Sequence, residues 1–180
     1  PAWTPDGRAL AYVEDRGDGG AIYLHTLADG RAIRLINSPA GWPALGPGGA
    51  VVFVRAVGGI LTLHATTIDG TGVRPLAGSG AAHEDTPVFA PGGARLAFTA
   101  GPGQRDRQIV VANADGTGRR ALTPRGADTS DPSWSPDGGW LAFASDAGGS
   151  QQIYAIRADG SGQRALTAGA GRKWYVSWRP

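Results

Sequence analysis

The densest run of reactive side chains in the sequence is His83-Glu84-Asp85, an imidazole beside two carboxylates. Arg105-Asp106-Arg107 is a local charge triplet, Asp128 and Asp131 lie three apart, and Arg172-Lys173-Trp174 sets two cations beside an indole. Groups of these types transfer protons, hold metals or bind charged segments. Spacing argues against the first two uses. His25, His64 and His83 are the only histidines, and no pair has zinc spacing. The absence of Cys excludes disulfides, thiolate metal sites and a Cys nucleophile. No Gly-x-Ser-x-Gly elbow is present to expose a serine nucleophile. Asp-Gly-Thr-Gly at Asp69 and Asp115, and Asp-Gly-Ser-Gly at Asp159, resemble an aspartic-protease loop only loosely, because Gly separates the Asp from the hydroxyl residue. Asn113-x-Asp115-Gly116 is half a calcium loop without the downstream bidentate Glu. Gly58-Gly59 does not make a phosphate-binding loop. The chain is therefore expected to have no catalytic residue, metal or cofactor of its own. Binding remains, with Arg and Trp as anchors.

Charge narrows the partner. The 17 basic and 15 acidic residues leave a net charge of +2 and are spread along the chain, with Lys173 the only lysine. A nucleic-acid partner needs a concentrated basic patch, and none is seen. No apolar run approaches transmembrane length, and Pro1-Ala2-Trp3 opens no basic-then-apolar signal. There is no Met, so the start is expected to follow processing or to be cut from a longer chain.

The elements that position these residues repeat. Gly and Pro, 30 and 13 residues, fall at regular intervals between β-branched and aromatic runs. Prolines recur at Pro5, Pro47, Pro91, Pro136 and Pro180, spaced by 42, 44, 45 and 44. Asp-Gly pairs recur at Asp29-Gly30, Asp69-Gly70, Asp115-Gly116 and Asp159-Gly160. A period near 40–45 with four short strands per unit indicates β-propeller blades. The first strand ends at the turn proline. A Leu-Ala-Phe type run makes the second, an Ile-Tyr type run the third, and a short Arg-x-Leu run the fourth. Pro5-Asp6-Gly7 and Pro136-Asp137-Gly138 supply the turn chemistry between first and second strands: Pro presets φ, Asp accepts backbone hydrogen bonds, and Gly takes the left-handed position. Asp-Gly does the same between third and fourth. The expected fold is all-β: four four-stranded antiparallel blades, at about 1–36, 37–77, 78–123 and 124–167, and the first strand of a fifth over 168–180.

WSPDGGWLAFASD from Trp134, IYAIRADGSGQRALT from Ile153 and their copies resemble the WD-like repeat of TolB-type β-propellers. Related blades occur in tricorn-type proteases and in the propellers of dipeptidyl-peptidase and prolyl-oligopeptidase enzymes. The resemblance implies a six-bladed ring, of which about two blades would lie outside this chain, and a periplasmic or extracellular location. It implies two functions: a non-catalytic scaffold binding a protein or peptide, or the substrate-gating propeller of a serine peptidase whose catalytic domain lies elsewhere. Open blade faces invite self-association.

In such an array the turns between first and second and between third and fourth strands share one rim. The fourth-to-first linkers and the second-to-third loops share the other. The first set repeats and has a structural job. The second differs from blade to blade, which is where recognition concentrates. His83, Glu84, Asp85, Arg105, Arg107, Asp128, Asp131, Arg172, Lys173 and Trp174 all fall in or beside that second set, and are the expected binding residues of a charged collar.

Overall fold

Ala, Val, Ile and aromatic runs bounded by Pro and Gly build sheet almost exclusively. In the computed structural model, which describes residues 1–17, 19–103 and 105–178, these runs form four sheets of four strands each. The first holds β1 (Ala2–Trp3), β2 (Ala9–Glu14), β3 (Ala21–Thr26) and β4 (Ala32–Ile36). The second holds β5 (Gly41–Leu45), β6 (Ala50–Val57), β7 (Ile60–Thr67) and β8 (Arg74–Pro75). The third holds β9 (His83–Phe89), β10 (Arg95–Gly101), β11 (Gln108–Asn113) and β12 (Arg120–Ala121). The fourth holds β13 (Thr129–Trp134), β14 (Trp140–Ser145), β15 (Gln152–Arg157) and β16 (Arg164–Ala165). In every sheet neighbours in sequence are neighbours in space, an up-and-down meander. The chain divides into two compact units, Pro1–Pro87 and Val88–Pro180.

The turn prolines take equivalent places. Pro5, Pro47, Pro91 and Pro136 each lie between the first and second strands of a sheet, while Pro180 lies outside the described residues. The loop they open is four residues long where it follows the Pro-Asp-Gly pattern. Thr4 N–H donates to Ala9 O and Ser135 N–H to Trp140 O, both at 2.9 Å. The left-handed glycine is Gly7 (φ +68°) in one and Gly138 (φ +67°) in the other. Asp6 and Asp137 sit inside the loops, where each accepts from the hydroxyl two residues back and the backbone N–H two residues on. The third sheet keeps this closure without the Asp, Ala90 N–H donating to Arg95 O at 2.9 Å, whereas the second closes with a 3₁₀ turn over Pro47–Gly49.

Cross-strand register repeats as well. Tyr12 opposes Tyr23, Phe53 opposes His64, Phe98 opposes Val110 and Phe143 opposes Tyr154. Within each unit the large residue of one blade meets small residues of the blade before it. Phe53 and Val51 share a core with Ala9, Ala11, Ile22 and Leu24 in the first unit. Phe143 and Leu141 share one with Ala97, Ile109 and Val111 in the second. The second strands β6, β10 and β14 are therefore buried on both faces, as between covered sheets, whereas β2 alternates buried and part-exposed residues. The short fourth strands β8, β12 and β16 are exposed edges.

The expected opening strand of a fifth blade differs in one respect. Residues 172–178 form no strand. They still carry the marks of a first strand. Trp178 donates from Nε1 to Ser133 O at 3.0 Å, just as Trp134 donates to Val88 O at 3.3 Å.

Candidate functional site

The two classes of turn behave differently. Between third and fourth strands every Asp is occupied by its own loop. Asp69 accepts from the Thr67 and Thr71 hydroxyls and from Thr71 N–H. Asp115 and Asp159 accept from the backbone and hydroxyl of Thr117 and Ser161, and Asp29 from Arg31 N–H. The Asp-Gly-Thr-Gly segments are thus hairpin turns, with one oxygen of each carboxylate bonded inside its own loop.

At the opposite end of the sheets, the fourth-to-first linkers are stitched to the second-to-third loops. Ala40 N–H donates to Gly20 O in the first unit, and Thr129 N–H to Arg107 O and Lys173 N–H to Gln151 O in the second. Two cavities open there. In the first unit, Tyr12, Val13, Pro39, Trp42, Val54 and Leu61 contribute to an apolar cavity of about 630 Å³. In the second, Arg105, Asp106, Asp128, Asp146 and Arg172, with Gly126 and Ala127, line a polar cavity of about 430 Å³.

The polar cavity gathers Arg105, Asp128 and Arg172 from the expected collar. Arg107 lies behind it and holds Asp128 bidentately, Nε to Oδ1 at 2.8 Å and Nη2 to Oδ2 at 3.0 Å. Asp106 is fixed by Gly126 N–H at 2.7 Å and by Arg125 at 3.3 Å, and these, the N–H first, hold its carboxyl below the usual range. Asp146 accepts from Asp128 N–H at 2.7 Å and so clamps linker to loop. Arg172 donates to Gln151 Oε1 at 3.0 Å and lies over the ring of Trp174, which is half exposed. Lys173 turns back onto the carbonyls of Ala170 and Gly171.

The remaining expected residues lie elsewhere. His83, Glu84 and Asp85 start β9 in the first unit. Glu84 is 2 % exposed and accepts from Ser79 Oγ and Leu63 N–H. His83 Nδ1 accepts from Leu61 N–H at 3.3 Å, and Asp85 is buried. That cluster is built into the sheet. Asp131 sits at a bulge of β13 with φ +55° and accepts from Ser130 Oγ.

Sequence reasoning did not single out Asp146 or Trp42. Trp42, 51 % exposed with φ +44°, sits at the β5 bulge. Thr86 and Tyr175 share its left-handed backbone, at φ +47° and +56°. Trp42, Thr86, Asp131 and Tyr175 recur every 44–45 residues, so one backbone position, in β5, β9, β13 and the 172–178 segment, presents four different side chains. The signal was available in Trp42-Pro43, Thr86-Pro87 and Asp131-Pro132, X-Pro pairs at the blade period. Among the described residues no group of three or more His, Cys, Asp or Glu is placed to hold a metal ion.

Residues 62–180 match the family model described as the TolB beta propeller domain. The chain belongs to the TolB β-propeller family. This TolB-type chain is 30% identical over 152 residues to the uncharacterized peptidase YuxL of Bacillus subtilis, a match covering 81% of this chain and 21% of that protein. Its fold is that of TolB from Acinetobacter baumannii (TM-score 0.81, 22% identity, 97% of this chain and 44% of that one). It is also that of a Mycobacterium tuberculosis puromycin-hydrolyzing peptidase (TM-score 0.68, 22% identity, 90% and 31%). The TolB-type chain thus spans about a fifth of its peptidase relative and less than half of TolB.

Proposed function

We propose that this chain is a non-catalytic scaffold that binds a protein or peptide segment at the rim where fourth-to-first linkers meet second-to-third loops. One observation carries the reading: each unit's cavity opens among those loops, whose residues differ between blades, while the turns at the other end spend their polar groups on themselves. Variable loops on a repeated scaffold are suited to recognition. Likeness to the Tol-Pal system protein TolB of Coxiella burnetii, 51% identical over 39 residues, supports a periplasmic setting. The test is a peptide-display selection on the chain. Selected binders should lose affinity when Ala127→Trp fills the polar cavity and keep it when Arg8→Gln alters an exposed turn. Binders indifferent to Ala127→Trp would place recognition elsewhere.

A second reading is the substrate-gating propeller of an S9-type serine peptidase, supported by the identity to YuxL. A Gly-x-Ser-x-Gly segment downstream in the same reading frame would favour it, since the nucleophile must come from another domain.

A further inference from the structure

The polar cavity of the second unit has a charge asymmetry that residue counting hides. Four cations and three carboxylates lie in or behind it: Arg105, Arg107, Arg125 and Arg172 against Asp106, Asp128 and Asp146. Two of the carboxylates are already neutralised, Asp128 by the fork of Arg107 and Asp106 by Arg125 together with Gly126 N–H. The third, Asp146, is turned to the backbone of Asp128, and its own N–H returns a bond to Asp128 O at 3.2 Å. Each acid therefore has a structural task in tying linker to loop.

The two remaining cations, Arg105 and Arg172, are not paired with a carboxylate among the described residues. Arg105 is exposed, and among the described residues no carboxylate pairs with it. Arg172 is held by a neutral amide, Gln151, and by stacking on Trp174, which orients its guanidinium without discharging it. An arginine held this way has lost side-chain freedom before any ligand arrives, which lowers the cost of binding one. Guanidinium groups match carboxylates in a planar, bidentate geometry.

We infer that this cavity is a receptor for a carboxylate of a peptide partner, gripped between Arg105 and Arg172. The inference rests on the rim-binding reading and specifies its chemistry. Carboxylates come from two sources, acidic side chains and a free chain end, and the experiment separates them.

Three fluorescein-labelled heptapeptides serve as probes of the whole chain in fluorescence anisotropy. One carries three glutamates with both ends blocked, one the same with glutamines, and one is neutral with a free C-terminal carboxylate. One of the two carboxylate peptides should bind at least tenfold tighter than the glutamine peptide, and which one identifies the source. Arg105→Gln and Arg172→Gln should each weaken that binding about tenfold, the scale of losing one charge-assisted hydrogen bond. Arg8→Gln, in an exposed turn of the first unit, should leave it unchanged. Melting curves of the variants should match the parent, since both arginines are exposed. Equal binding of all three peptides, or no loss in either arginine variant, would overturn the carboxylate inference. The rim reading would survive that result if Ala127→Trp still abolished binding. No binding of any peptide would overturn the carboxylate inference, and the display selection would then decide the rim reading by itself.

Discussion

Asp69 is fully exposed, yet its carboxyl is lowered to about 2. The Thr67 hydroxyl is the largest cause, followed by the N–H and hydroxyl of Thr71, all donating to the ionised form. Asp6, Asp137 and Asp159 are lowered for the same first reason, through Thr4, Ser135 and Ser161. The sign of the linkage follows. An unfolded Asp titrates near ~3.9, so between there and the folded value the unfolded chain binds more protons. The Asp69 turn contributes stability above about pH 4 that disappears as pH falls toward 2, and the other three act in the same direction. Melting temperature should therefore drop over that interval. In Asp69→Asn the melting temperature should be lower at pH 5 and its decline toward pH 2 shallower. Parallel profiles for parent and variant would show that the turn carboxylate does not act through its ionisation.

At the scale of the element, a blade works by offering one bulky face and one flat face. Phe143 is 0 % exposed and packs among Ala97, Ile109, Val111 and Leu141. Removing its ring should cost about 3–5 kcal/mol, the range for Phe→Ala in a closed core. Tyr12 occupies the same position of the first blade, stacked on Tyr23 at 5.7 Å but only partly buried. Tyr12→Ala should cost about half as much, scaled by the area it hides. Urea titration followed by tryptophan fluorescence measures both, and equal losses would mean that the position, not the burial, sets the cost. This strand-and-turn grammar was readable from the sequence because it is local. Pro, Asp and Gly fix backbone angles within a few residues, and their period places the strands. The rim was only partly readable. Arg105, Asp128 and Arg172 line one cavity. Nothing local, however, says that Glu84 turns inward to hold Leu63 N–H, or that Asp146 reaches a linker 18 residues away. Side-chain direction at a bulge is set by backbone strain, as at Trp42 and Asp131, and one-dimensional patterning does not encode it.

For the molecule as a whole, the preference for arginine over lysine acquires a physical reason. Seven arginines among the described residues lie over aromatic rings: Arg34 on Tyr23, Arg55 on Phe53, Arg95 on Trp134, Arg119 on Phe98, Arg157 and Arg164 on Trp140, and Arg172 on Trp174. A planar guanidinium covers the edge of a sheet and still reaches a carbonyl, which an ammonium does less well. Arg95 does both, 4.9 Å from the Trp134 ring centroid and 3.0 Å from Gly138 O. Seven of the 17 basic residues are thus placed as lids over blade side chains. If stacking is their main task, Arg95→Lys should lower stability by about 1 kcal/mol, and the loss should persist in high salt, because short-range contacts are screened far less than exposed charges at a distance. Chemical denaturation by urea in 0.05 M and 0.5 M sodium chloride makes the comparison. A lysine variant as stable as the parent would deny the stacking role. A deficit that vanished at 0.5 M would reassign Arg95 to the long-range field of the protein.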